Sequence, residues 1–297
     1  MSMKTRTTFE VRMLLKDARP AQADLARCLL ANFGIPPEQV AEEARGGRTT
    51  LSFFTSSLKK AQGLKERIDA SGLKHAYLSL RALKDADWKT RWKKYFKPFN
   101  ITATLRVIPA WAKGARVKGS RQPVYIDTTF AFGTGLHATT QMMAQLIDGR
   151  RGKIGRFLDV GTGSGILALI AGCCGAAGVW AIDADKEAVK TAAENFRLNG
   201  FRPRCIKTAG AEGFKARERF DFVAANLLTE DLIRLQKKLS RFLCPSGLLA
   251  VSGVHCSNYT VFRRRFHPAG LRCARILQRK GWYAILFKKR EGVCLSQ

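Results

Sequence analysis

From residue 156 onward, short apolar runs alternate with amphipathic stretches, and this alternation is the strongest constraint on the fold. The runs are "RFLDV", "GVWAIDA", "PRCIKT", "FDFVAANL" and "LLAVSGV", and intervening stretches such as "KEAVKTAAENFRLNG" have helical spacing. Continuous apolar strands separated by helices predict a mostly parallel sheet covered on both faces. The final segment, "RCARILQRKGWYAILFKK", predicts an antiparallel hairpin that turns at Lys280 and Gly281.

The first third of the chain predicts a separate, smaller domain. Its apolar patterns follow the order β-α-β-α-β, which is typical of a small sheet with helices on one face. The aromatic and basic residues of "DADWKTRWKKYFKPFNI" have helical spacing, and they can pack on a domain face or stack on single-stranded nucleic acid. The sequence thus predicts a small α/β domain over residues 1–84, a connector helix over 85–100 and a larger α/β domain over 101–297.

The net charge of +29 is unevenly distributed along the chain. Between Asp231 and Glu291 there are fourteen Lys and Arg residues and no acidic residue. Such a block produces a positive field that attracts RNA or an RNA-bound partner, although solubilisation is an equally simple explanation.

Cysteine spacing and hydropathy exclude other classes of protein. Six of the eight cysteines are isolated in sequence, and adjacent Cys173 and Cys174 do not have the spacing of metal ligands, which predicts reduced thiols and no metal site. The longest apolar run, "ILALIAGCCGAAGVWAI", is short for a membrane span, and the N-terminus does not resemble a secretory signal. We therefore expect a cytoplasmic protein without a membrane partner.

A glycine-rich turn, "DVGTGSG", follows the first strand of the larger domain. Gly161, Gly163 and Gly165 allow a ligand to approach the backbone closely. The third glycine comes two residues after the second, whereas dinucleotide-binding turns place it three residues after. Asp159, just before the turn, can meet an ammonium group or structure the loop through water.

Two further polar residues end predicted strands at the edge of the sheet where ligands bind. Asp183 can accept both hydroxyls of a ribose or cap the next helix, a role that Asp185 fills equally well. Asn226 can face the ligand or simply form a turn. Two acids with a glycine turn between them suit an adenosyl ligand with a charged amino-acid tail, namely S-adenosylmethionine.

The motifs "YFKPF", "FAFGTGLHATT", "FLDVGTGSGILALIA", "AIDAD", "ENFRLNG" and "ANLL" occur in an order and spacing that resemble a known family. This is the bacterial methyltransferase family that modifies ribosomal protein L11 of the large subunit, and the similarity extends from Trp88 to the C-terminus. It implies an α/β fold with a class I, Rossmann-like methyltransferase sheet. It also implies a small N-terminal, ferredoxin-like domain that recognises the substrate.

The resemblance also implies roles for individual residues. Thr140, Gly161, Asp183 and Asn226 match the family's S-adenosylmethionine contacts, and "FAFGTGLHATT" matches a lid over the cofactor. Two lid residues, Thr134 and His137, are expected on the cofactor or substrate side of the site. With Asn226, His137 is a candidate for the catalytic step, in which a neutral amine must be aligned with a sulfonium methyl group. A purely structural role for the histidine is the alternative.

The resemblance implies an enzyme that methylates amino groups of a large-subunit ribosomal protein at the stalk base. We expect a cytoplasmic monomer, because the sequence contains no coiled-coil pattern and no long exposed apolar stretch. The acceptors would be lysine side chains, the N-terminal amine or both. The basic blocks, rather than the resemblance, suggest contact with ribosomal RNA. One alternative is an RNA methyltransferase, which the basic blocks suggest. Another is a non-catalytic ribosome-binding module on a methyltransferase scaffold, since a fold does not by itself determine function.

Overall fold

The computed structural model describes residues 8–15, 26, 30, 35, 40–45, 48–55, 58–73, 75–83, 97–114, 120–127 and 135–290. The chain divides into two compact units, Met1–Lys97 and Pro98–Gln297. Most of the predicted connector, residues 85–96, lies outside the described residues. Where the description resumes, Phe99–Asn100 forms a short strand.

The N-terminal unit contains a four-stranded antiparallel sheet with the order β2-β3-β1-β4. Its elements are β1 (Thr8–Leu15), β2 (Val40–Arg45), β3 (Arg48–Thr55), α1 (Leu58–Ala70) and β4 (His75–Leu83). Alternate strand residues such as Val11, Met13 and Phe53 share a buried core with Ile68 of α1. This strand order is that of a ferredoxin-like sheet. Strand β2 was not predicted, because the alanines and glutamates of "VAEEAR" have low strand propensity.

The C-terminal unit is built on a seven-stranded sheet with the order β10-β9-β8-β11-β12-β14-β13. Its strands are β8 (Arg156–Val160), β9 (Gly178–Asp183), β10 (Cys205–Thr208), β11 (Phe220–Asn226), β12 (Leu243–His255), β13 (Leu271–Arg279) and β14 (Trp282–Lys289). Neighbouring strands are parallel except where β14 pairs with β12 and β13. The predicted hairpin is confirmed, and both Lys280 (φ 48°) and Gly281 (φ 76°) of its turn have positive φ, as a type I′ hairpin turn requires.

Helices cover both faces of this sheet, as predicted. They are α2 (Ala138–Asp148), α3 (Ile166–Cys173), α4 (Lys186–Leu198), α5 (Thr229–Phe242) and α6 (Cys256–Arg265). Successive residues of β14 show the two layers: the Trp282 ring contacts His137, which caps α2, whereas Tyr283 stacks on Tyr259 of α6. Since successive strand residues point to opposite faces, α2 and α6 lie on opposite sides of the sheet.

A second, three-stranded sheet precedes the large one and was not predicted. It consists of β5 (Phe99–Asn100), β6 (Leu105–Pro109) and β7 (Gln122–Ile126), in that order, with a 3-10 turn at Ala110–Ala112. Pro123 argues against a strand in the sequence because it cannot donate a backbone hydrogen bond, but β7 is an edge strand, where proline is tolerated. In the part of the chain that the structure describes, no helix is long and apolar enough to span a membrane.

Candidate active site

The register of the central strands brings three predicted residues to one level. Val160, the last residue of β8, pairs with Ile182 of β9 and with Ala225 of β11. The next residue of each strand segment, namely Gly161, Asp183 and Asn226, therefore lies at the carboxyl edge of the sheet. Ligands of open α/β sheets bind outside this edge, near the point where the strand order reverses. Here that point is the boundary between β8 and β11.

The glycine turn has a backbone that other residues would not tolerate. Gly161, Gly163 and Gly165 have φ values of 73°, 54° and 80°. A Cβ on Gly161 would lie 2.5 Å from Cδ2 of Leu227, and one on Gly165 would lie 2.7 Å from Cε1 of Phe196. The turn is thus closely packed against Leu227 and Phe196. Because its glycines have no side chains, it presents backbone atoms to a ligand.

The Asp183 carboxylate holds this turn in place while it keeps acceptor capacity. Its Oδ2 accepts a hydrogen bond from the Gly163 N–H at 2.9 Å, and its Oδ1 accepts one from the Asp185 N–H at 3.0 Å. Each carboxylate oxygen can accept a further bond. The helix-capping role belongs to Asp185, whose Oδ1 accepts the Glu187 N–H at 2.9 Å at the start of α4.

Asp159 lies beneath the glycine turn and is only 1% exposed. Its Oδ2 accepts hydrogen bonds from the Thr162 hydroxyl at 2.8 Å and from the Ala168 N–H at 3.2 Å, and its buried Oδ1 has no partner among the described residues. Burial raises the pKa of Asp159 to about 7, although these hydrogen bonds oppose the rise. These direct hydrogen bonds support the predicted role in structuring the loop, and contact with an ammonium group stays a prediction.

A hydrogen-bonded chain links Asn226 to the helix on the other side of the site. The Asn226 Nδ2 donates to the Thr139 hydroxyl at 3.2 Å, and the same hydroxyl lies 2.7 Å from Nδ1 of His137. The His137 ring packs edge-on against Trp282, 5.0 Å between centroids. Neither Thr139 nor Trp282 was predicted as a site residue, although Thr139 belongs to the motif "FAFGTGLHATT" that indicates the family.

The environment of His137 makes it a poor proton acceptor. Burial, followed by the nearby positive charge of Lys280, lowers the pKa of His137 to about 4. The ring is therefore neutral at pH 7. In the tautomer with the proton on Nε2, Nδ1 accepts a hydrogen bond from the Thr139 hydroxyl, and the hydrogen bonds run in one direction from Asn226 through Thr139 to His137.

The remaining predicted residues belong to the "FAFGTGLHATT" segment. Thr140 is buried in the first turn of α2, at 2% exposure. Thr134 lies outside the described residues. Leu136, next to His137, is 47% exposed, and Leu228, two residues after Asn226, is 66% exposed. Two apolar side chains therefore adjoin the polar chain at the carboxyl edge.

Asn195 of α4 joins two parts of the site that are far apart in sequence. Its side chain is completely buried and accepts the Asp127 N–H at 2.7 Å, while its Nδ2 donates to the Asp127 carbonyl at 3.0 Å and to the Ser164 carbonyl at 2.9 Å. Asp127 directly follows β7, and Ser164 belongs to the glycine turn. One turn of helix later, Asn199 makes the same paired contact with the Tyr125 backbone but does not reach the glycine turn.

We expect Asn195→Ala to weaken S-adenosylmethionine binding by roughly tenfold, because the loss of one buried hydrogen bond to the glycine turn costs about 1–3 kcal/mol. Asn199→Ala is the matched control: it should lower the melting temperature by a similar amount but change affinity less than about twofold. Calorimetric titration and thermal unfolding of both variants measure the two effects. Equal affinities for the two variants would show that Asn195 has no role at the cofactor site beyond stability.

The residues at the carboxyl edge fit an adenosyl ligand. The glycine turn offers backbone without side chains, and Asp183 retains acceptors for ribose hydroxyls. A dinucleotide-binding sheet has the parallel order 3-2-1-4-5-6. Here the first five strands follow that order, but an antiparallel strand, β14, is inserted before the last. This topology and this edge define a class I S-adenosylmethionine-dependent methyltransferase.

Comparison with known proteins identifies the family. A sequence model described as "Ribosomal protein L11 methyltransferase (PrmA)" matches residues 28–290. The chain is 34% identical over 307 residues to the ribosomal protein L11 methyltransferase of Sorangium cellulosum, covering 94% of this chain and 96% of that protein. It is 36% identical over 210 residues to the one from Geobacter sulfurreducens, covering 71% and 68%. The chain belongs to the ribosomal protein L11 methyltransferase family.

A solved structure agrees with this assignment. The crystal structure of a ribosomal protein L11 methylase from Lactobacillus delbrueckii subsp. bulgaricus superposes with a TM-score of 0.59 at 27% identity. The match covers 65% of this chain and 99% of that one. The predicted fold class and the predicted family are therefore both confirmed.

Proposed function

We propose that this protein is an S-adenosylmethionine-dependent N-methyltransferase that modifies amino groups of ribosomal protein L11. The observation that carries the proposal is the placement of Asp183 and Asn226 at the carboxyl edge, on either side of the glycine turn, in a chain of this family. The acceptors are lysine side chains, the N-terminal amine or both. Family membership does not favour the alternative of an RNA methyltransferase.

The bound cofactor supplies an electrophilic methyl group on a positively charged sulfur, so the protein mainly has to bind and orient. In our proposal the carboxylate of Asp183 accepts the ribose hydroxyls, and Gly161, Gly163 and Gly165 let the ligand approach the backbone. Thr140 contacts the cofactor from the start of α2. Asp159 supports the glycine turn from below, and Thr134 belongs to the segment that covers the site.

The amine is held by Asn226. Because the Nδ2 of Asn226 is engaged by Thr139, its Oδ1 is directed to other donors, and no described residue donates to it. This oxygen can accept an N–H of the uncharged amine and turn the nitrogen lone pair toward the methyl group. The pKa of about 4 makes His137 too weak a base to remove the amine proton, so we assign it the positioning of Thr139, and the proton leaves to solvent.

The proposal also covers the oligomeric state, the compartment and the partners of the enzyme. We propose that it acts as a monomer in the cytoplasm, where ribosomal proteins are made, on a protein of the stalk base of the large subunit. We further propose that its basic surface contacts ribosomal RNA. The net charge of +29 supports this contact, because a positive field of this size attracts a polyanion and speeds encounter with it.

The decisive experiment measures methyl transfer from labelled S-adenosylmethionine to purified ribosomal proteins and, separately, to ribosomal RNA from the same cell. We expect label in protein L11, on amines that peptide mass spectrometry identifies, and none in RNA. Label confined to RNA would refute the protein substrate. A protein that binds the cofactor and labels neither fraction would support the non-catalytic ribosome-binding module instead.

A further inference from the structure

The edge strand β13 carries a row of cations on one face of the sheet. Its register with β14 pairs Arg272 with Lys288, Arg275 with Leu286 and Arg279 with Trp282. Residues directly opposite in an antiparallel pair share a face, and Lys288, Leu286 and Trp282 alternate along β14. All four cations therefore point to one side. It is the side of the sheet on which α2 lies, because Arg279 donates a hydrogen bond to Gln141 of that helix at 2.5 Å, while Arg272 and Arg275 remain exposed.

A β-bulge creates this alignment. The register shifts between Cys273 and Arg275. Without the extra residue, the side chains of Arg272 and Arg275, three positions apart, would point to opposite faces. With it they point to the same face, and the row from Arg272 to Arg279 extends over about 20 Å of strand. Bulges at sheet edges commonly re-aim a side chain in this way.

The row is costly to the isolated protein. Arg272 and Lys288 are like charges placed directly opposite each other, an arrangement that destabilises a sheet. Among the described residues, no carboxylate forms an ion pair with Arg272, Arg275 or Lys288, and Arg272 and Arg275 are exposed. A partner that supplies regularly spaced negative charge would relieve this repulsion.

Protection of an exposed strand edge is the simpler explanation of these charges, since charged residues discourage edge-to-edge pairing. Mixed charges would serve that purpose equally well, and they would avoid the repulsion between Arg272 and Lys288. Instead, the 59 positions from residue 232 to 290 contain no acid at all. Uniform sign, alignment by a bulge and exposure all favour a polyanionic partner.

We propose that the face formed by Arg272, Arg275, Arg279 and Lys288, here called the arginine row, binds the phosphate backbone of RNA. The proposal rests on the RNA contact suggested above and names the surface that makes it. Arginine is suited to this task because its planar guanidinium can bind a phosphate through two hydrogen bonds. Contacts to phosphates alone would give little sequence preference and a strong dependence on salt.

The test uses the full-length protein and a fluorescently labelled single-stranded RNA of 24 nucleotides. The variant R272Q/R275Q/K288Q removes three cations of the row and spares Arg279, which contacts α2. Its control, R202Q/R204Q/K207Q, removes the same charge at the opposite edge of the sheet, in and before β10. Affinity is measured by anisotropy between about 50 and 200 mM salt, a range over which phosphate contacts weaken measurably.

We expect the row variant to bind RNA at least tenfold more weakly, and the slope of log affinity against log salt to fall by about 2, since each phosphate contact on a single strand contributes about 0.7. The RNA affinity of the control variant should fall by less than about threefold, which is the effect of the lower net charge alone. Equal losses in the two variants would overturn the proposal, as would binding of polyglutamate as tightly as RNA. Melting temperatures verify that both variants fold.

Methyl transfer to purified protein L11 separates this inference from the proposed enzymatic function. The row variant should methylate the free protein at the wild-type rate, because none of its three substitutions lies among the cofactor or amine contacts. Loss of RNA binding with intact methylation supports the arginine row. Wild-type RNA affinity in the row variant would refute RNA binding by the arginine row, and it would not contradict the proposed enzymatic function.

Discussion

Asp183→Ala should weaken S-adenosylmethionine binding by at least about 100-fold, because hydrogen bonds to a charged group contribute about 1.5–3 kcal/mol each and ribose offers two hydroxyls. The same change removes the acceptor of the Gly163 N–H, which is bound at 2.9 Å. The glycine turn is then less well ordered, and this also weakens cofactor binding. Calorimetric titration of the purified variant with the cofactor measures the effect directly.

Asp185→Ala is the matched control, because it removes the same charge two residues away. Asp185 caps α4 through the Glu187 N–H, so its loss should lower the free energy of unfolding by about 1 kcal/mol. Its cofactor affinity should stay within about twofold of wild type, since the exposed Asp185 carboxylate is engaged by the Glu187 N–H and is not among the proposed cofactor contacts. If Asp183→Ala bound the cofactor as tightly as this control, the ribose assignment would be refuted.

Asn226→Ala should lower kcat by about 100-fold at saturating cofactor, since misplacing a reacting group by about 1 Å can cost that much. The physical reason is that the amide oxygen, oriented by the bond from Nδ2 to Thr139, holds the amine nitrogen toward the methyl group. Because we also assign Asn226 to the cofactor site, affinity should fall too, but by a smaller factor. Single-turnover methylation of protein L11 separates the two effects.

Ser252→Ala provides the comparison for Asn226. Ser252 pairs with Asn226 across β11 and β12, but its hydroxyl donates to the Tyr283 carbonyl at 2.8 Å, away from the proposed amine position. We expect a loss of stability of about 1 kcal/mol from this hydrogen bond, with kcat within a few-fold of wild type. A loss of kcat in Ser252→Ala that matched Asn226→Ala would mean that the strand ends, rather than the asparagine amide, control the rate.

Much of the fold could be predicted because its signals are local. The run "RFLDV" followed by glycines predicts a strand and a tight turn from residues that are adjacent in sequence, and Gly161 and Gly165 do have the positive φ that only glycine adopts easily. The turn at Lys280 and Gly281 is local in the same sense. By contrast, the small sheet of β5, β6 and β7 was missed, because its short strands are defined by pairing rather than by propensity.

The candidate site likewise has residues that the sequence predicts and contacts that only the structure shows. Asp183 and Asn226 could be proposed from sequence, since each ends an apolar strand and the ends of parallel strands meet at one edge. The link from Asn226 to Thr139 joins residues 87 positions apart, and the Asn195 bridge joins Asp127 to Ser164. Nothing in the spacing of these residues predicts such contacts, because they depend on how α2 and α4 pack on the sheet.

The sequence by itself determined the class of sheet, the glycine turn, the polar residues at its edge and the excess of positive charge. Each of these is a property of neighbouring residues, set by backbone sterics and by alternating polarity. Only the tertiary structure decided that Asp159 is buried beneath the turn, that His137 has a pKa of about 4 and that Arg272 faces Lys288. Burial and cross-strand pairing arise from residues distant in the chain, so their energies appear only when the whole sheet is assembled.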